Sequence, residues 1–375
     1  MTGPMIDFDH AATTRLRDEA LAAMMPYLTG QYANASGSYA AGREARAAID
    51  RARAQVAGAI GAQPGEIIFT GGGTEADNWA IFGATNDTKE KNRVVVSRVE
   101  HHAVLRACEA LSRRGFDVAY AEVDAEGRVS PEEIARLVTP RTALVSVMLA
   151  NNEVGTIEPV AEIARIAHES GALMHTDAVQ AVGHIPVDVS ALGVDLLSMS
   201  AHKFGGPKGV GALYIRAGTR IARLLHGGAQ ERELRAGTEN TPAIVGMGEA
   251  LRLAVNEMEE NTRRVTALRD ALIDGALSRL PGARLNGSRA QRLPGNAHLT
   301  LPGIDSRSLL LRLDMAGIAA SAGSACASGA AERSHVLVAM GAIEGADLRL
   351  TLGADNELAQ VERTLDVLAG IAGKR

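Results

Sequence analysis

The chain has 375 residues, too long for one ordinary domain, and its 46% hydrophobic and 22% charged content is normal for a globular protein with a sizeable core. A net charge of −5 without a basic block argues against a nucleic-acid partner. No apolar run approaches the length of a membrane span, and the first ten residues lack the basic and apolar regions of a signal peptide. The two cysteines, Cys108 and Cys326, make no disulfide framework, so a reducing cytoplasm is the expected location.

Residues 1–15 read as extended and irregular, and 16–29 as a short helix. The small, polar stretch 32–42 reads as a loop, followed by an Ala-rich amphipathic helix over 43–60 that ends at Gly61. Seven apolar, β-branched runs follow, at 67–70, 93–98, 118–123, 143–150, 172–176, 194–200 and 210–215. Helical patterns at 74–84, 103–114, 131–138 and 159–169 alternate with them. That alternation predicts βαβ units and one large α/β domain, residues 16–250, around a mostly parallel seven-stranded sheet. Beyond 250 the texture changes. A long charged helix over about 246–280, an apolar helix at 306–316, a small-residue stretch at 319–330, a strand near 347–352 and a last helix at 356–371 predict a smaller α+β domain. It is expected to comprise residues 1–15 and 251–375.

The strand ends carry the chemistry, because α/β proteins bind ligands there. The run 195–200 leads through Ser200 and His202 to Lys203 and then to the glycine-rich turn 204–211. A partly desolvated lysine amine loses its proton readily and forms a Schiff base with a carbonyl. Strand 67–70 leads through Gly71, Gly72 and Gly73 to Thr74 and a helix, an arrangement of free amides that seats a phosphate. The plainer alternative makes Thr74 the helix N-cap. His101 and His102 follow the run 93–98, where an imidazole can stack on a planar ring or shuttle a proton. Asn151 and Asn152 end the run 143–150, where an amide holds a carboxylate or phenolic oxygen or closes a turn. Asp177 ends another strand, with Gln180 just beyond. A buried carboxylate needs a cationic partner, and a protonated pyridine nitrogen supplies one. A lysine for an aldehyde, an acid for a ring nitrogen, a phosphate seat and a histidine for a ring face together describe pyridoxal 5'-phosphate. Lys208 is the rival amine, but it sits in Gly-Pro-Lys-Gly, where the chain is already turning away.

Beyond these readings, the ordered motifs resemble the class V aminotransferase superfamily, and within it the cysteine desulfurases of the NifS/IscS type. The likeness covers nearly the whole chain. It includes Asp9-His-Ala-Ala-Thr-Thr14, Thr70-Gly-Gly-Gly-Thr-Glu-Ala-Asp-Asn78, Glu100-His101, Asn151-Asn-Glu-Val-Gly155, His175-Thr-Asp-Ala-Val-Gln180, Ser200-Ala-His-Lys203, His226–Arg232, Arg235–Asn240 and Ser321–Cys326. It implies the aspartate aminotransferase-like fold type I of pyridoxal-phosphate-dependent transferases. It also implies Lys203 as the Schiff-base lysine, Asp177 at the ring nitrogen, Gln180 at the ring hydroxyl and His101 stacked on the ring. Gly73, Thr74, Ser200 and His202 would serve the phosphate, and Thr238 would reach the phosphate of a second subunit in a homodimer. Asn152 and Arg349 would hold the substrate carboxylate, with Asn34 as a further substrate contact and Asn152 also against the cofactor. No metal is implied. One departure is Tyr39, in Asn34-Ala-Ser-Gly-Ser-Tyr39, where the family often has a histidine; it bears on substrate affinity.

Cys326 lies among Ser, Ala and Gly, in a stretch without the apolar periodicity that would bury it, whereas Cys108 sits in a helical pattern as a small core hydrophobe. The resemblance makes Cys326 the sulfur acceptor. The implied reaction takes L-cysteine, lets Lys203 remove the α-proton, and ends in alanine and a persulfide on Cys326. That sulfur would pass to an acceptor protein, for iron–sulfur cluster assembly or thiolation. The alternatives are a selenocysteine lyase, which could spare Cys326, and a plain class V aminotransferase, which has no use for it. A metal site or a non-catalytic sulfur carrier would belong to other classes, and no His-Glu-x-x-His or Cys-x-x-Cys spacing supports the former.

Overall fold

A computed structural model of the chain describes residues 5–86, 91–323 and 333–373. In chain order the elements are β1 (Ile6–Asp7), α1 (Asp18–Leu28), α2 (Ala40–Ala59), β2 (Ile67–Thr70), α3 (Gly73–Thr85), β3 (Arg93–Ser97), α4 (His102–Ser112), β4 (Asp117–Ala121), α5 (Pro131–Leu137), β5 (Thr142–Ser146), α6 (Val160–Glu169), β6 (Leu173–Asp177), α7 (Val189–Leu192), β7 (Leu196–Ser200) and β8 (Gly211–Ile215). Then come α8 (Thr241–Asn256), α9 (Met258–Arg279), β9 (Arg284–Leu285), β10 (Asn296–Leu301), α10 (Ser306–Met315), β11 (Ile318–Ala319), α11 (His335–Ala339), β12 (Ala346–Thr351) and α12 (Leu358–Ala372).

The seven apolar runs form one sheet in the order β2-β8-β7-β6-β5-β3-β4. Only β8 runs against its neighbours. The other six strands are parallel, so β3, β5, β6 and β7 end along one edge, in Ser97, Ser146, Asp177 and Ser200. Both faces are covered. Ala- and Val-rich sides of α2, α6 and α8 pack on one face, and α3 and α4, with Trp79 fully buried, pack on the other. Burial on two sides explains why these strands read as continuous apolar runs.

A second core is built from α9, α10 and α12 against β10 and β12, and it draws in Ile6 and Phe8 from the chain's start. There the sheet is three-stranded, β12-β10-β9, and antiparallel. The single long helix expected over about 246–280 is two. α8 starts earlier, where Asn240 caps it by accepting from the Ala243 amide, and stops at Asn256. Its residues 243–254 belong to the large core, whereas Val265 to Ala276 of α9 belong to the second. One straight helix could not turn its apolar side to both. Strand β10 escaped the sequence reading, although all six of its residues are buried.

Candidate active site

A cavity of 290 Å³ opens where the ends of β3, β5, β6 and β7 meet the second core. Its wall includes Gly73, Thr74, Asp77, His101, His102, Asn152, Glu153, Asp177, Gln180, Ser200, His202, Lys203, His335 and Arg349, together with Ala11 and Ala12 from the N-terminal stretch.

Lys203 closes a 3₁₀ turn directly after β7. Its Nζ donates to the carbonyls of Ala11 and Ala12, at 2.6 and 2.9 Å. Gln180 Nε2 donates to the same Ala11 carbonyl, at 3.0 Å. Lys208 is exposed and lines an adjoining hollow that shares Gly73, Thr74, Ser200 and His202 with this cavity but does not include Lys203. Asp177, at the end of β6, accepts the Val179 amide on Oδ1 at 2.9 Å. Burial pushes its pKa up to about 6, against the opposing pull of that amide and of Lys203. Asp77 approaches from α3, and burial together with the Asp177 charge raises it well above the usual carboxylate range. Ligand atoms of Asp77, Asp177 and His101 lie within 4.8 Å of one another. Two carboxyl groups that close and that dry do not ionise together, so the pair presents one negative charge.

His101 sits at the N-cap of α4, where its Nδ1 accepts the Ala103 amide. That bond leaves the proton of the neutral ring on Nε2. Burial and then Lys203 lower its pKa to about 4, so the ring is neutral near pH 7. The ring thus caps α4 and lines the cavity at the same time. His102 also reaches the cavity wall and lies against His335, with ring centroids 4.7 Å apart. Glu153, though inside Asn151-Asn-Glu-Val-Gly155, and His335 were given no role in the sequence reading; only the folded packing brings α11 to this wall.

The N-cap of α3 is Gly72, not Thr74, and no side chain caps this end. Gly72 has φ +149°, a conformation that side-chain-bearing residues avoid. A Cβ on Gly73 would lie 2.7 Å from Val179 and 3.4 Å from Ser200. Bare amides, the Thr74 and Ser200 hydroxyls and His202 therefore converge on one small seat for an anion. His202 is lowered to about 4 by burial and by Lys203, and its Nδ1 lies 3.2 Å from Thr13 Oγ1.

Arg349 arrives on β12 and is buried. It donates to the Asn152 carbonyl at 3.0 Å and to Asp9 Oδ1 at 2.9 Å, and its Nε has no partner among the described residues. Thr238 and Asn34 are both exposed and are not part of this protomer's cavity wall. Asn34 Oδ1 accepts the Ser36 amide. Cys326 falls outside the described residues. Cys108 is buried on α4, and burial pushes its thiol up to about 12.

The donor set fits pyridoxal phosphate. It offers an uncapped helix end with hydroxyls for a dianion, an amine at a strand end and a single buried negative charge for a ring nitrogen. Among the described residues no helix is long and apolar enough to cross a membrane.

Fold and site together define a pyridoxal-phosphate-dependent enzyme of fold type I. The chain belongs to the class-V aminotransferase family, whose model matches residues 6–364. It is 50% identical over 370 residues to cysteine desulfurase IscS of Methanosarcina thermophila, covering 98% of this chain and 91% of that one. It is 49% identical to cysteine desulfurase IscS of Dictyoglomus turgidum, covering 98% and 94%. A solved NifS-like protein superimposes with a TM-score of 0.93 at 38% identity, covering 98% of this chain and 99% of that one.

Proposed function

We propose a division of labour among these residues for the activity the chain belongs to. It is a pyridoxal-phosphate-dependent cysteine desulfurase, acting on L-cysteine. The bound cofactor supplies an aldehyde for an amine and a sink for the electrons of the α-carbon. Lys203 Nζ holds the cofactor and, once released by the substrate, takes the α-proton. Asp177 keeps the ring nitrogen protonated, and Gln180 meets the ring hydroxyl. Gly73, Thr74, Ser200 and His202 hold the phosphate, completed by Thr238 from a second copy of the chain in a homodimer. Arg349 and Asn152 grip the substrate carboxylate, with Asn34 as a further contact. His101 is neutral and carries its proton on Nε2, so it can donate there and be recharged. The Cys326 thiolate attacks the substrate sulfur. The Cβ–S bond breaks as the S–S bond forms, and the product leaves as alanine. The persulfide sulfur then passes to an acceptor protein, an iron–sulfur scaffold being the first to test. With two cysteines and no disulfide framework, the reaction suits a reducing cytoplasm.

What supports this reading is that Lys203, Asp177 and His101, from the ends of three strands of the large sheet, and Arg349, from within β12, with 248 residues of chain at most between them, line one cavity. Lys203→Ala and Lys208→Ala test it. Borohydride should fix the cofactor to the Lys208 variant and to wild type, but not to the Lys203 variant, which should also lose turnover. Fixation that survives Lys203→Ala and vanishes with Lys208→Ala overturns the assignment.

A further inference from the structure

Asp77 lines the cavity but has no part in the division of labour above. It stands one turn into α3 and is 1% exposed. A carboxylate oxygen of Asp77 lies within 4.8 Å of one of Asp177, yet the two acids are held differently. Asp177 has what an anion needs, the Val179 amide on Oδ1 at 2.9 Å and the pull of Lys203. Asp77 has neither. Its Oδ1 has no hydrogen-bond partner among the described residues. The imidazole of His175, with Nε2 3.8 Å from that oxygen, brings no counter-charge, because burial lowers its pKa from 6.5 to about 3. Ser198 hydrogen-bonds the Asp77 carboxyl. The Ser198 hydroxyl also lies 3.0 Å from His175 Nε2, and His175 Nδ1 lies 2.8 Å from Ser146 Oγ. Behind Asp77 there is thus a buried chain of neutral polar groups. From the segment before α4, Glu100 is raised well above the usual carboxylate range by burial and His101 is neutral, so neither adds a positive charge.

We propose that Asp77 is a positioning residue for the cofactor: it keeps the proton of the acid pair and so fixes the pair's one negative charge on Asp177. The proposal rests on Asp177 as the partner of the ring nitrogen. A carboxylate buried without an amide or a cation is the costlier of the two to ionise, so the proton goes to the acid that lacks both. The neutral acid still sets a polar group beside Asp177, which a hydrocarbon side chain would not, and so limits how far burial lifts Asp177. The direction of the Asp77 shift agrees: burial raises it first and the charge of Asp177 second.

The test reads the proton and the charge separately. Infrared spectra of the holoenzyme at neutral pH report the carbonyl stretch of protonated carboxylic acids. Binding of pyridoxal phosphate to the apoprotein, followed by absorbance from acid to neutral pH, reports the ionisation of Asp177. Asp77→Asn should remove one acid band and leave the acid limb of binding where it is in wild type, because one neutral polar group replaces another of the same size. Asp77→Leu should remove the same band and move that limb upward by about half a pH unit, roughly threefold in proton affinity, because Asp177 then stands in drier surroundings. Asp77→Asn carries the test alone if the leucine variant does not fold. An acid band that survives Asp77→Asn, a limb that moves downward in either variant, or one that stays put in Asp77→Leu, overturns the proposal, since only an ionised neighbour lowers Asp177 when it is removed. Asp177→Asn, run alongside, separates the two levels. If it binds pyridoxal phosphate as wild type does, the ring-nitrogen reading has failed and the proposal with it. If its binding is weakened while Asp77→Asn keeps every acid band, only the placing of the proton has failed.

Discussion

Glu231 and Arg53 make the sharpest test of how the segment packed against β2 is held. Arg53 on α2 is 7% exposed and Glu231 5% exposed. They pair through two bonds of 2.7 and 2.6 Å, and Glu231 Oε2 also accepts the Phe69 amide of β2 at 2.9 Å. Arg53 donates as well to the Ile67 carbonyl at 2.7 Å. Three successive residues, Glu231, Arg232 and Glu233, have φ of 45°, 55° and 65°. Left-handed backbone costs about 1 kcal/mol or more at each such residue, so the segment keeps this shape only because its side chains are clamped. Glu231→Leu strands a buried guanidinium and an amide, a loss of about 3–5 kcal/mol. Arg232 stays bonded to the Ile67 carbonyl and Arg235 to Glu75, so strain relief is confined to residue 231. The net destabilisation is then about 2–4 kcal/mol. Arg53→Met should cost a similar amount by stranding the carboxylate. The double variant should be more stable than either single, since no buried charge is left alone. Urea unfolding of the four proteins measures this. Strictly additive losses, or a Glu231→Leu protein within about 1 kcal/mol of wild type, would refute the clamp.

Other outcomes follow from single positions. Cys108→Ala should leave persulfide formation unchanged and cost about 1 kcal/mol of stability, and the native Cys108 thiol, pushed up to about 12 by burial, should resist alkylation until the protein unfolds. Gly211→Ala would set a Cβ 2.5 Å from the Met199 carbonyl and 2.7 Å from the backbone of Gly72, so it should weaken cofactor retention, read by equilibrium dialysis, more than it lowers the unfolding midpoint. His298 is fully buried, and burial and then Arg349 lower its pKa from 6.5 to about 3. Between these values the unfolded chain binds the proton and the native one does not, so this contribution to stability is complete above about pH 6.5 and is lost as pH falls toward 3. His298→Gln should therefore flatten the acid side of the stability–pH curve, and an unchanged slope would count against a neutral buried ring.

The large sheet was legible because its strands are buried on two faces: they read as apolar runs with a helix between most successive pairs. Its polar ends were legible for the same reason, since Asp177, Ser200 and Lys203 interrupt an otherwise apolar pattern. Strand β10 was not. Asn296, His298 and Thr300 alternate with Ala297, Leu299 and Leu301, yet both sets are buried, so a polar residue every second position did not mark a solvent face. The break between α8 and α9 was hidden because Glu257 is an ordinary helix former. The reason to stop there is a change of partner core, which the local sequence does not encode. Glu153 stood inside a quoted motif and His335 outside any, and both acquire their neighbours only through contacts spanning 181 and 235 residues.

The stretch around residues 6–12 is the seam of the whole arrangement. Ile6 pairs with Ile318, Asp9 bonds Arg349 and bridges Thr351, and the Ala11 and Ala12 carbonyls receive the Lys203 amine. The Asp9–Arg349 bond joins residues 340 apart. On a ribosome that adds about 5–20 residues per second, the two halves of this seam appear roughly 20–70 s apart. The large sheet and its lysine are complete only in the later part of that time, while the carbonyls that receive the amine still lack β12 to fix them. The nascent chain can therefore fold its scaffold early, but it acquires a finished reaction centre only when residue 351 has emerged, so immature chains carry the lysine without a functioning site around it.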